Sequence, residues 1–74
     1  MTKSIHTDSY RDLIALLVHA RKRTGLTQQQ LADKLNKPQS FVAKYERLER
    51  RLDIAEYISI GSLLGVRVTV TGPG

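Results

Sequence analysis

Between Tyr10 and Thr24 the apolar residues Tyr10, Leu13, Ile14, Leu17 and Val18 recur at i, i+3, i+4, the spacing that gives a helix one buried stripe. Thr7-Asp8-Ser9 supplies capping residues ahead of it, and Thr24-Gly25 ends it. A second, shorter helix follows at once. Thr27 has the type of an N-cap, Gln30 three residues later completes a capping box, and Leu31, Ala32 and Leu35 form the stripe. Asn36 suits the left-handed residue that closes a helix, whereas Pro38 is comfortable only in the first turn of a new one, so the chain breaks between them. The third helix runs from Pro38 to Glu46 with Phe41, Val42 and Tyr45 apolar. Asp53 then caps a fourth that carries Ile54, Tyr57, Ile58 and Leu63-Leu64 as far as Gly65. Beyond Gly65 the period drops from 3.6 to 2: Val66, Val68 and Val70 face one way and Arg67, Thr69 and Thr71 the other, which predicts a strand over 66–71 before Gly72-Pro73-Gly74. The expected fold is mostly α, four helices and a C-terminal β-strand.

At 74 residues the chain forms one domain, 1–74, with a small core whose stability is helped by self-association. Twelve Lys and Arg against seven Asp and Glu give a net charge of +5, which favours polyanionic partners. No run approaches the length of a membrane span, and the beginning MTKSIHTDSY lacks the apolar core of a signal peptide, so the cytoplasm is the expected compartment. With no cysteine there is neither a disulfide framework nor a thiolate metal site. His6 and His19 stand far apart without acidic companions at ligand spacing, so no metal and no cofactor is expected. Ser, His and acidic residues form no catalytic arrangement, and the chain has little volume for a substrate pocket. An enzyme is not expected.

Residues Gln28 to Arg47 resemble the helix-turn-helix of the phage repressor and Cro (XRE) family of DNA-binding proteins, and the similarity extends over about Leu17 to Val66. It rests on LTQQQLA opening the second helix, small Ala32, the turn residue Asn36, branched Val42, and Tyr45-Glu46 closing the third. These marks form a packing code. A side chain larger than alanine at position 32 pushes the two helices apart, Val42 fills the angle between them, and Leu31 and Leu35 anchor the pair to the first helix. The resemblance also implies an ion pair between Arg21 and Glu46. Partly buried, such a pair holds the third helix in its presented orientation, and losing one partner costs roughly 3–5 kcal/mol; two solvated charges would be worth under about 1 kcal/mol.

The third helix is then the one that reads DNA. Val42 and Tyr45 turn inward, which leaves Gln39, Ser40, Ala43 and Lys44 facing out. Gln39, Ser40 and Lys44 suit base edges: glutamine bonds adenine through N6 and N7, serine contacts several edges, and lysine reaches guanine or a phosphate. Phe41 is a core residue in preference to a contact for a thymine methyl. In the family resembled, the first glutamine of the second helix lies against a phosphate, so Gln28, with Thr27 beside it, positions the duplex. Arg47 and Arg50 follow the reading helix and are assigned to phosphates, although Glu46, Glu49 and Asp53 are near enough in sequence to neutralise them. Lys22 and Arg23 complement a helix dipole equally well.

Three departures from the family pattern stand out. Lys37 sits in the turn where an apolar residue usually lies, so either its methylene stem covers that surface and its ammonium adds a phosphate contact, or the turn is rearranged. Leu48 stands where a glycine commonly follows the glutamate, which argues against the usual left-handed bend. The terminal strand replaces a fifth helix and needs a partner for its backbone, either Lys3-Ser4-Ile5-His6 or the same segment of a second subunit. An antiparallel pair built on Val66, Val68 and Val70 is self-complementary about a two-fold axis and makes a homodimer that reads a palindrome. The expected function is a sequence-specific transcriptional repressor on double-stranded DNA. An antitoxin-type subunit that also binds a toxin protein is the alternative, and a protein-interaction module without DNA binding is a further one.

Overall fold

A computed structural model of the protein describes residues 8–67, which fold into α1 (Asp8–Thr24), α2 (Gln28–Leu35), α3 (Gln39–Glu46) and α4 (Ile54–Leu64). Two of these helices begin on reciprocal caps. Thr27 Oγ1 accepts from the Gln30 amide at 3.0 Å while Gln30 Oε1 accepts from the Thr27 amide at 2.9 Å, and Asp53 and Glu56 repeat the exchange at the start of α4. Pro38 stands just outside α3 as its N-cap, one residue earlier than the sequence pattern places it, and its carbonyl accepts from the Phe41 amide.

All four helices end in the same way. Gly25, Asn36, Leu48 and Gly65 take left-handed backbone angles (φ 81°, 59°, 64° and 77°). In each case the next amide reaches back to a helix carbonyl: Leu26 to Arg21, Lys37 to Ala32, Glu49 to Lys44 and Val66 to Gly61. This six-to-one closure satisfies carbonyls that the helix ends would otherwise leave open. The expectation against a left-handed bend at Leu48 is thereby corrected. A leucine there costs roughly 1–2 kcal/mol, offset by three amides in succession, of Leu48, Glu49 and Arg50, donating to α3 carbonyls and by packing of the Leu48 side chain on the core.

The core draws Ile14, Leu17 and Ala20 from α1, Leu31 and Ala32 from α2, Phe41, Val42 and Tyr45 from α3, Leu52 from the connector, and Tyr57, Ile60 and Leu64 from α4. Helix α3 packs on α2 and on α1, while α4 packs on α1. Ala32 and Val42 are both fully buried, as the crossing of α2 and α3 requires. The α1 and α4 stripes are rotated from their expected positions: Leu13 is 45% exposed, and Ile54, Ile58 and Leu63 are 66%, 38% and 44% exposed. Both helices are apolar over a wider arc than the body covers, so spacing alone does not fix which edge of the arc is buried. Two tyrosines tie the layers at their rim, Tyr57 donating to the Leu13 carbonyl and Tyr10 accepting from the Leu52 amide.

No strand occurs among the described residues. Of the expected 66–71 strand, Val66 is engaged in closing α4 and packs partly against the core, while Val68 and Val70 lie outside the described residues, as do Lys3-Ser4-Ile5-His6.

Tyr45 is the least economical member of the core. Its ring meets Phe41 edge-on at 5.8 Å, but its hydroxyl is buried with no hydrogen-bond partner among the described residues. Removal from water, and then the charge of Glu46, raises its pKa above the ordinary 10.0. Tyr45→Phe keeps the ring and removes the stranded hydroxyl. Its unfolding free energy in urea should stay level or rise by up to about 1 kcal/mol, and a loss of that size would reveal a partner for the hydroxyl.

Candidate nucleic-acid interface

Helix α3 has only eight residues, so its outward face is short. Gln39, Ser40 and Lys44 are exposed on it, while Phe41, Val42 and Tyr45 are buried. Ala43, expected to face outward, is only 9% exposed. The reason is geometric. Helix α3 lies on two helices at once, α2 and α1, and a methyl is short enough to be covered where a longer side chain would reach solvent. Phe41 takes its expected core place, with the Lys37 ammonium 5.6 Å and the Arg50 guanidinium 4.7 Å from its ring centre.

Behind the exposed end of α3 lies a hydrogen-bond chain across three helices. Arg21 Nε donates to Glu46 Oε2 at 2.7 Å and Arg21 Nη2 to Glu46 Oε1 at 3.1 Å, with side chains only 11% and 8% exposed. Gln28 Nε2 donates to the same Oε1 at 2.9 Å, and Gln39 Nε2 donates to Gln28 Oε1 at 2.7 Å. A third donor of Arg21 reaches the Leu26 carbonyl at 2.9 Å, so one guanidinium joins the end of α1 to the end of α3.

The flanking cations are held with unequal firmness. Arg47 pairs with Glu49 at 3.0 Å in the open, at 60% and 54% exposure. Arg50 donates twice to Glu56 and once to the Arg51 carbonyl while covering Phe41. Lys37 is exposed at a turn whose left-handed closure at Asn36 is undisturbed, so no rearrangement is needed to admit it. Thr27 Oγ1 is committed to the α2 cap as an acceptor, which leaves its hydroxyl proton for another group.

Residues 18–70 match the family model described as Helix-turn-helix. The chain belongs to the Cro/C1-type (XRE) helix-turn-helix family. It is a DNA-binding transcription regulator. No curated protein matches the chain. In this XRE-family protein, α2 and α3 are the helix pair, and no helix among the described residues is long and apolar enough to cross a membrane.

Two features of the interface escaped the sequence pattern. One is the Gln28–Gln39 bond, which depends on how α2 and α3 cross and leaves no mark at a spacing of 11 residues. The other is Glu56 as the partner of Arg50, where the sequence pattern offers only Glu46, Glu49 and Asp53 as alternatives to phosphate for the arginines. A signal did exist for Glu56: Asp53-Ile54-Ala55-Glu56 has capping-box spacing, which fixes the Glu56 carboxylate at the mouth of α4.

Arg50, and then the Asp53 amide, hold the Glu56 carboxyl below its ordinary value of 4.5. The folded protein therefore binds this proton less readily than the unfolded chain does. The resulting stabilisation is present above the ordinary value and is lost as pH falls through the lower folded one. Glu56→Gln should flatten the acid limb of the stability curve, read by thermal melting between about pH 6 and pH 3. An acid limb as steep as that of the unaltered protein would remove Glu56 from this role.

Proposed function

We propose that the protein is a sequence-specific repressor that acts in the cytoplasm as a homodimer on a palindromic operator and silences transcription by occupying promoter DNA. The observation that carries this reading is the grouping of Gln39, Ser40 and Lys44 as exposed side chains on one face of α3, in front of a fully buried helix crossing. Gln39 is the main base reader. One of its Nε2 hydrogens is given to Gln28, and its remaining hydrogen and Oε1 form the pair that adenine N7 and N6 require. Ser40 and Lys44 read neighbouring edges.

Phosphates are taken by Thr27 and Gln28 at the start of α2, by Lys37 and by Arg47. The exposed Arg47–Glu49 pair is of the kind worth under about 1 kcal/mol, so a phosphate displaces Glu49 at little cost. Arg50 would have to leave Glu56 to join them, and its contribution is correspondingly smaller.

The dimer rests on the alternating Val66, Val68 and Val70 and on the need for two reading helices about 34–36 Å apart to span successive major-groove faces. A reading with a second protein partner, such as a toxin, is favoured by one observation: Leu13 and Leu16 of α1 and Ile54 and Ile58 of α4 remain exposed.

Gln39→Ala should cost roughly 1–3 kcal/mol on sites selected from a random duplex library and far less on unrelated DNA, measured by titration at fixed salt. Equal losses on both would remove Gln39 from base readout. Light scattering should give twice the mass of the 8.3 kDa chain, and Val68→Asp should lower it towards one chain and weaken operator binding with it. An unchanged mass in the variant would rule out pairing through this segment.

A further inference from the structure

We propose that the apolar face shared by α1 and α4 is where a second copy of this chain docks, with α1 antiparallel to its counterpart and Asp12 paired to Arg23 of the partner subunit. The inference deepens the homodimer reading and rests on it. Two paired strands alone are marginal in water, so a dimer of this chain calls for more apolar surface than its tail offers. Leu13, Leu16, Ile54 and Ile58 supply it at 45%, 53%, 66% and 38% exposure. Leu13 and Ile54 line one groove together with Tyr57, and Leu16 and Ile58 stand about one turn further along their helices.

The outer side of α4 also lacks charge. Its exposed residues are Ile54, Ala55, Ile58, Ser59, Ser62 and Leu63, although the chain as a whole carries +5. Two chains of that charge repel each other, and an uncharged face is where they can approach. The centres of protein interfaces are depleted of charge in the same way.

Apolar surface by itself would serve a different protein equally well; the charges beside it decide for a second copy. Asp12, Leu16, His19 and Arg23 follow at spacings of four, three and four, and so stand in line along α1. All four are exposed, and neither Asp12 nor Arg23 has an ion pair or side-chain hydrogen bond among the described residues. Asp12 and Arg23 lie about 16 Å apart along the helix. A two-fold axis crossing α1 at right angles between Leu17 and Val18 is midway between them, and it sets each Asp12 opposite Arg23 of the partner subunit. The two Leu16 side chains then meet on either side of the axis, and the outer face of α4 meets its own counterpart. An acid at one end, a base at the other and leucine between them make a line complementary to itself when reversed.

The test is sedimentation of the full chain at low salt, where exposed charges are least screened. The unaltered protein should form dimers. Asp12→Arg sets two arginines against each other at each end of the contact, and Arg23→Asp sets two aspartates. Each should weaken the dimer by about tenfold or more. An effect of overall charge would move them in opposite directions, because the first substitution raises the charge of the chain and the second lowers it. Mixed in equal amounts, the two variants regain both ion pairs in a mixed dimer, which should form within about threefold of the unaltered affinity. Leu16→Glu, at an exposed position away from the helix ends, is a further variant and should break the dimer with its helical circular dichroism unchanged. Dimers unaffected by Leu16→Glu, or a mixture that associates no better than its components, overturn the proposal, leaving the dimer to other contacts and this face to a different protein. An unaltered protein that stays monomeric at every concentration overturns the homodimer reading itself, and the proposal with it.

Discussion

The Glu46 carboxylate is the point at which α1, α2 and α3 are joined by something other than packing. Taking two charges out of water costs several kcal/mol per ion unless geometry and further hydrogen bonds offset it. Here the offset is thorough: Arg21 donates twice to the carboxylate and once to the Leu26 carbonyl, and Gln28 supplies a further donor. The pair adds direction to a core that is otherwise non-directional. Ala32 and Val42 allow α2 and α3 to cross closely, but apolar contact alone would tolerate a small rotation of α3. Donors aimed at two particular oxygens do not.

That directional hold matters because the presented helix is short. At eight residues each, α2 and α3 are well below the length at which an isolated helix persists in water. They exist because each is capped or closed at its ends and pressed onto a core. The left-handed closures at Asn36 and Leu48 bracket α3 and its approach, and they set where the chain enters and leaves the presented face. A leucine in the second of these bends shows which demand prevails. Its side chain is needed against the core, and the backbone accommodates it.

The charges divide into two kinds with different consequences for binding a polyanion. Arg21 is spent internally on Glu46, and Arg50, partly exposed, is held by two hydrogen bonds to Glu56. Lys37, Lys44 and Arg47 are exposed, and Arg47 is held by an acid that is itself exposed. Positive charge that is loosely held can be transferred to phosphates cheaply, whereas charge locked inside the body cannot. The net charge of +5 is therefore a poor guide to how many contacts a duplex would receive. Placement is the better one.

The chain by itself determined where its helices start and stop. Thr27 with Gln30, Asn36 before Pro38, Asp53, and Gly25 and Gly65 act within a turn of their own position, so their meaning is carried in local sequence. It also determined the crossing of α2 and α3, because small Ala32 and branched Val42 announce a close approach. Only the tertiary structure decided which edge of α1 and α4 is buried, since both offer a wider apolar arc than the body can cover. The same holds for the burial of Ala43, the left-handed Leu48, the Arg50–Glu56 pair and the Gln28–Gln39 bond. Each of these depends on the distance between segments that the chain separates, and a distance of that kind is fixed only once all the helices have packed together.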